Sequence, residues 1–267
     1  MQRILIISLG YARALLQYGE NNSEKPIIFI IARQHPGETP AAFFIEGLIE
    51  YLEKDEDPLL KKAVIYIVDN MNPDGTYHGN LRSNVAGIDL NRAWGDPDPE
   101  NAPEVFCVKQ FLNTLKERNI IFFDIHADES NAALFLEGRV GNYSHLKLDL
   151  MEKKLIAALK KIEPRIHKES CYPPDAPGEG NFNLAVTHIG QDHLSILIEQ
   201  PFKEVAQGND WTPKDCQQFG AKLPMAINLF LNSQIKLSEM RVGIFQPSPS
   251  SEKKDLAESK NEFTVDF

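Results

Sequence analysis

Four short apolar runs rich in Ile, Val and Phe, at 27–32, 63–68, 120–125 and 194–198, constrain this chain more than any other feature. Each is continuous rather than alternating, the pattern of a strand covered on both faces. Helical spacing appears at 40–52, where Phe43, Phe44, Gly47, Leu48 and Tyr51 recur, at 105–115 behind Pro103, at 146–162, and at 213–231. Pro213 suits the first turn of the last of these. Strands alternating with helices imply an α/β fold, a single domain on a mixed, mostly parallel twisted sheet with helices on both faces. At 267 residues the chain is long enough to bury such a core. The domain is expected to occupy 1–245, because 246–267 is polar, holds Pro247 and Pro249, and reads as a flexible tail.

Two stretches interrupt the alternation, 70–101 and 163–180, and both read as loops. Long loops in compact domains tend to carry function. Lys plus Arg total 28 against 38 for Asp plus Glu, a net charge of −10, which disfavours nucleic acid and anionic membranes as partners. No run approaches the ~20 apolar residues that span a bilayer. Cys107, Cys171 and Cys216 are odd in number and form no CxxC pair, so a reducing, cytoplasmic setting fits best. The apolar stretch at 4–9 is shorter than a signal-peptide core and is soon followed by Tyr11 and Arg13.

The chemically informative residues stand at the ends of the strands, where open α/β sheets place their ligands. His35 and Glu38 follow the first run on a turn that Pro36 and Gly37 help to set, so both side chains can reach one ion. By itself this pair reads more simply as a surface histidine and a helix cap. His126 closes the third run, in FFDIHADE, and should emerge on the same sheet edge. Two histidines and one carboxylate are the donor set of a catalytic zinc, with the fourth position left to water. Glu199 follows LSILI at the end of the fourth run, where an apolar setting disfavours its charged form and suits it to take a proton; a solvated strand terminus is the alternative. The Asn-rich loop supplies Arg82 and then Asp89, Leu90, Asn91 and Arg92 in succession. An Arg beside an Asn suits a terminal carboxylate, and a further Arg suits the oxyanion of an attacked carbonyl, although surface salt bridges around a turn use the same residues.

Five segments carry a family resemblance: ARQHPGET at 32–39, NPDGTYHGNLRSN at 72–84, GIDLNRAW at 87–94, DIHADE at 124–129 and ILIEQPFKE at 196–204. Together and in this order they resemble the zinc metallocarboxypeptidases of the carboxypeptidase A superfamily, most closely the cytosolic carboxypeptidase branch. The resemblance implies one Zn2+ per chain held by His35, Glu38 and His126, with Asp89 orienting a ligand imidazole. It further implies that Asn91 and Arg92 bind the C-terminal carboxylate of a peptide or protein, that Arg82 polarises the scissile carbonyl, and that Glu199 is general base and then acid toward a metal-activated water. The chain departs from the secreted members at Gly37, where they carry Arg, and in having no Tyr between Tyr172 and Glu199 to cap the substrate. The stretch ahead of HPGE is also short for the β-rich domain that precedes the catalytic one in the cytosolic branch. Arg33, His188, His193 and Lys203 would favour an acidic terminal residue if they lined the pocket, but isolated basic residues are mostly solvated. Two other readings share parts of the pattern. One is a zinc amidohydrolase of the desuccinylase and aspartoacylase type, the other a non-catalytic zinc- or peptide-binding module, against which the intact Glu199 speaks.

Overall fold

Two strands, β1 (Gln2–Ile7) and β2 (Ala12–Tyr18), lead into β3 (Ile27–Ala32) and the helix α1 (Thr39–Lys54). The short helix α2 (Pro58–Lys62), β4 (Val64–Val68), α3 (Pro73–His78) and α4 (Pro103–Thr114) follow. The chain continues through β5 (Ile120–Asp128), β6 (Phe135–Glu137), α5 (Leu146–Ile162), α6 (Ala185–Ile189) and β7 (Leu194–Pro201). A small ribbon of β8 (Glu204–Val205) and β9 (Asn209–Asp210) precedes the last described helix, α7 (Pro213–Asn232). The computed structural model describes residues 2–7, 12–54, 57–138, 146–167, 171, 184–205 and 209–233. The expected tail at 246–267, and most of the expected 163–180 loop, lie outside the described residues.

The four apolar runs pair side by side and parallel in the order β4-β3-β5-β7, and β1-β2 on one flank and β6 on the other join antiparallel. The result is a seven-stranded mixed sheet with a parallel centre. Both faces are covered, which explains why the central runs are apolar throughout. Ile28, Ile30, Ile65, Ile67, Ile121 and Phe123 pack in one core with Phe44 of α1, Leu155 of α5 and Phe219 of α7. Ile27, Phe29, Tyr66 and Phe122 pack in a second core with Val105 and Val108 of α4 and with Trp94. α1 and α7 cross in close contact because glycines stand at the crossing. A Cβ on Gly220 would sit 1.9 Å from the Phe44 carbonyl oxygen, and one on Gly47 would sit 2.0 Å from that of Gln217.

Three features differ from expectation. The apolar stretch at 4–9 belongs largely to β1, half of an antiparallel hairpin with β2. β5 and β7 run on to Asp128 and Pro201, so His126 and Glu199 lie within paired strand and not beyond it. The 70–101 stretch is not all loop, since α3 occupies part of the NPDG segment. Asn72 caps α3 by accepting from the Gly75 N–H at 3.1 Å, Pro73 opens it, and Gly79 ends it in the left-handed region at φ 73°. Those start and stop residues are also turn formers, and six residues are too few to show a helical period.

Candidate metal centre

His35 and Glu38 come from the turn between β3 and α1, and His126 is the third residue from the end of β5. Arg33, at the exit of β3, adopts φ 58°, a left-handed conformation uncommon for a residue with a side chain, and its guanidinium donates to the Pro36 carbonyl. Gly37 follows in the HPGE segment. Its N–H donates to the Leu81 carbonyl at 2.9 Å, and a Cβ there would stand 2.8 Å from the Leu81 side chain and 2.9 Å from its carbonyl oxygen. Glycine at 37 thus lets the segment carrying Arg82 lie against the turn carrying His35 and Glu38, which an arginine at this position would block.

The three predicted donors converge. One ligand-type atom each from His35, Glu38 and His126 lies within 4.8 Å of the others, and all three residues are buried. The Glu38 carboxylate bridges the rings, with Oε1 2.5 Å from His35 Nδ1 and Oε2 2.8 Å from His126 Nδ1. Oε2 also accepts the Ala127 N–H at 3.1 Å, which ties the start of α1 to β5. Each imidazole therefore presents Nδ1 to a common point and turns Nε2 away.

Both Nε2 atoms meet carboxylates. Asp89 Oδ1 lies 3.0 Å from His35 Nε2 and also caps the turn at Leu90–Arg92 by accepting the Asn91 N–H at 3.0 Å. Asp89 Oδ2 accepts from Arg82 Nε at 2.8 Å. On the other ring, Asp124 Oδ2 lies 3.0 Å from His126 Nε2. Asp124 was not singled out from the sequence. The available signal was an acid two residues before a histidine inside an apolar strand, where a carboxylate must find partners or destabilise the fold.

The charges are consistent with a cation site. Burial alone would raise the Glu38 carboxyl, but His126 and His35 outweigh it and hold the group at about 2. Burial likewise opposes ionisation of Asp89, yet hydrogen bonds and charge from His35, with Arg82 beside it, keep its carboxyl below the usual carboxylate range. Burial would lower His126, and Asp124 and Glu38 on either side raise it well above an ordinary imidazole. Three carboxylates thus surround two imidazoles, and the positive charge they balance is a proton or a metal. The buried His, Glu, His donor set, with both second nitrogens held by carboxylates, fits zinc.

The remaining predicted residues surround this cluster. Glu199 is buried on β7 in direct register with His126, so it lies beside a metal donor on the neighbouring strand, about 4.8 Å away along the hydrogen-bonding direction. Arg82 and Arg92 are exposed, the latter with Nη1 donating to the Asn91 carbonyl at 3.0 Å. Asn91 is buried, with its amide nitrogen 3.3 Å from His126 Nε2 and its amide oxygen accepting the Ala185 N–H of α6 at 3.0 Å. Of the basic residues considered for an acidic terminus, Arg33 is engaged at Pro36, Lys203 is exposed, and burial together with Lys109 lowers His188 to about 4, leaving it neutral at pH 7.

Residues 2–138 match the family model described as zinc carboxypeptidase. An uncharacterised protein of Zymomonas mobilis is 36% identical over 226 residues, covering 79% of this chain and 57% of that protein. Cytosolic carboxypeptidase 6 of Mus musculus is 39% identical over 125 residues, 44% of this chain and 23% of that protein. Among solved structures, a metallo-carboxypeptidase from Pseudomonas aeruginosa in complex with (2-guanidinoethylmercapto)succinic acid superposes with a TM-score of 0.78 at 35% identity, covering 89% of this chain and 64% of that one. The chain thus spans less than two thirds of the length of each of these relatives.

Proposed function

Because the chain belongs to the zinc carboxypeptidase family, we propose that it hydrolyses the C-terminal peptide bond of peptides or proteins at one zinc held by His35, Glu38 and His126. The observation that carries this reading is the buried three-donor cluster with Glu199 in register beside it. Zinc, when bound there, supplies a Lewis acid that lowers the pKa of water toward ~7 and polarises a carbonyl. Glu199 takes the proton of the attacking water as the C–O bond forms, and gives a proton to the departing amine as the C–N bond breaks. Arg82, its Nε fixed by Asp89, offers its terminal nitrogens to the developing oxyanion. Arg92 makes the direct contact with the substrate's terminal carboxylate. Asn91 stands beside it as the second residue toward that carboxylate, its backbone carbonyl accepting from Arg92 and its amide oxygen held by the Ala185 N–H of α6.

Cys107, Cys171 and Cys216 form no disulfide among the described residues, and no helix of those residues is long and apolar enough to cross a membrane. With the likeness to cytosolic carboxypeptidases, these support a cytoplasmic enzyme. The test is metal analysis combined with a panel of C-terminally varied peptides and N-acyl amino acids, each with and without phenanthroline. About one zinc per chain and chelator-sensitive release of terminal residues is the expected result. Cleavage confined to N-acyl amino acids, or zinc without turnover, overturns the reading.

A further inference from the structure

The metal centre is braced unequally on its two sides. On the outer side, Asp89 holds His35 but is itself shared with Arg82, half of whose side chain is exposed. On the inner side, Asp124 is fully buried and pairs with the His126 ring. Its Oδ2 accepts from Gln34 Nε2 at 2.7 Å. Gln34 is fixed in turn, because its Oε1 accepts from Trp94 Nε1 at 2.7 Å and its backbone carbonyl accepts from Asn72 at 3.0 Å. Gln34, Asp124 and Trp94 are all 0% exposed. The chain of contacts Trp94 to Gln34 to Asp124 to His126 therefore runs entirely through the interior and ends on a metal-donor ring.

A neutral imidazole that gives Nδ1 to a metal must carry its proton on Nε2, and the atom facing Nε2 decides whether that arrangement is favoured. At His126 three polar atoms approach Nε2: the Asp124 carboxylate at 3.0 Å, the Asn91 amide nitrogen at 3.3 Å and the Gln34 amide nitrogen at 3.4 Å. The two amide nitrogens are donors, so only the carboxylate accepts the Nε2 proton. Without Asp124 the two amides would instead favour a bare Nε2 and a protonated Nδ1, the tautomer that cannot bind metal.

We propose that Asp124, held by Gln34 and Trp94, is a positioning carboxylate that keeps His126 in its metal-binding tautomer. Gln34 serves by holding Asp124 in place. This rests on His126 being a zinc donor, as proposed above. The side that Arg82 shares is open to rearrangement when substrate engages that guanidinium, and the Asp124 side holds the metal independently of substrate.

The experiment measures zinc affinity of the apoprotein by competition with a chromophoric chelator, and the visible spectrum of the cobalt-substituted protein, whose bands report donor geometry. The parent and the Asp124→Asn and Gln34→Met variants are compared at matched folded content. Loss of a partner of this kind typically costs about 10- to 100-fold in metal affinity. Asp124→Asn should lose affinity in that range and Gln34→Met less, both with a changed cobalt spectrum. A packing role alone would lower the unfolding temperature and leave both readouts of the folded fraction unchanged. Zinc affinity of Asp124→Asn within twofold of the parent, with an unaltered spectrum, overturns the proposal. Should that variant fail to fold, an unaltered affinity and spectrum in Gln34→Met overturns it equally. A parent that binds zinc no better than a chain lacking His35 overturns the metal reading itself, and this proposal with it.

Discussion

Glu199 and Arg92 lie on opposite sides of the proposed chemistry, one moving protons and the other selecting a free terminus. Glu199→Gln keeps shape and hydrogen-bonding capacity but cannot take a proton. Its turnover should fall about 10^2- to 10^4-fold while zinc content stays at the parent level, as read by peptide hydrolysis and metal analysis on the same sample. Arg92→Gln should raise KM for peptides with a free C-terminus about 10- to 100-fold, the size expected for a charged hydrogen-bonding contact, and should leave hydrolysis of C-terminally amidated peptides as slow as in the parent. His35, Glu38 and His126, which the fold brings together, were legible in the sequence because His126 closes an apolar run and His35 and Glu38 stand on the turn after another. Asp124 and Gln34 were not, although they stand two and one positions from donors. Their contacts join residues 90 positions apart, across the pairing of β3 with β5.

Between elements, the crossing of α1 and α7 is the most sharply specified contact. The Cβ of Gly220→Ala would meet the Phe44 carbonyl oxygen at 1.9 Å, so the helices must separate. The variant should lose about 1–3 kcal/mol of stability, measured by urea unfolding. The central strands were readable from their continuous apolar runs and the long helices from periodicity, with α5 reproduced at its expected bounds of 146–162. The β1–β2 hairpin and α3 were not. Hairpin strands at the flank of a sheet are only partly specified by their own residues, and a six-residue helix built from capping residues looks like a turn until its hydrogen bonds are seen.

For the whole molecule, the ligand cluster places three carboxylates around two imidazoles, so metal should be a substantial part of its stability. Chelation should lower the unfolding temperature, and readdition of zinc at about 1,000 times its dissociation constant should restore about 4 kcal/mol, visible by calorimetry. Away from the site, Arg165 joins Glu163 at 2.7 Å to Asp215 at 2.7 Å and lies 4.5 Å over the Trp211 ring, linking the end of α5 to the capping box of α7. Burial opposes ionisation of Asp215, but hydrogen bonds from Arg165 and Thr212 together outweigh it and lower its carboxyl from 3.8 to about 2. A carboxyl depressed on folding contributes stability above its unfolded value and loses it as the pH falls through the folded one. Asp215→Asn should therefore be less stable than the parent at pH 7, by about 1 kcal/mol or less, with the difference closing between about pH 4 and pH 2 in urea titrations.

The sequence by itself determined that this chain is an α/β domain with a buried parallel sheet, because burial on both faces is written in local pattern, and it singled out His35, Glu38 and His126, which the fold brings together. Only the tertiary structure decided how those side chains work together. The sharing of Asp89 between His35 and Arg82, the inward turn of Asn91, and the interior support of His126 through Asp124, Gln34 and Trp94 are all hydrogen bonds between distant segments. Such contacts depend on strand register and helix placement to within about an ångström, and no spacing along the chain encodes that distance.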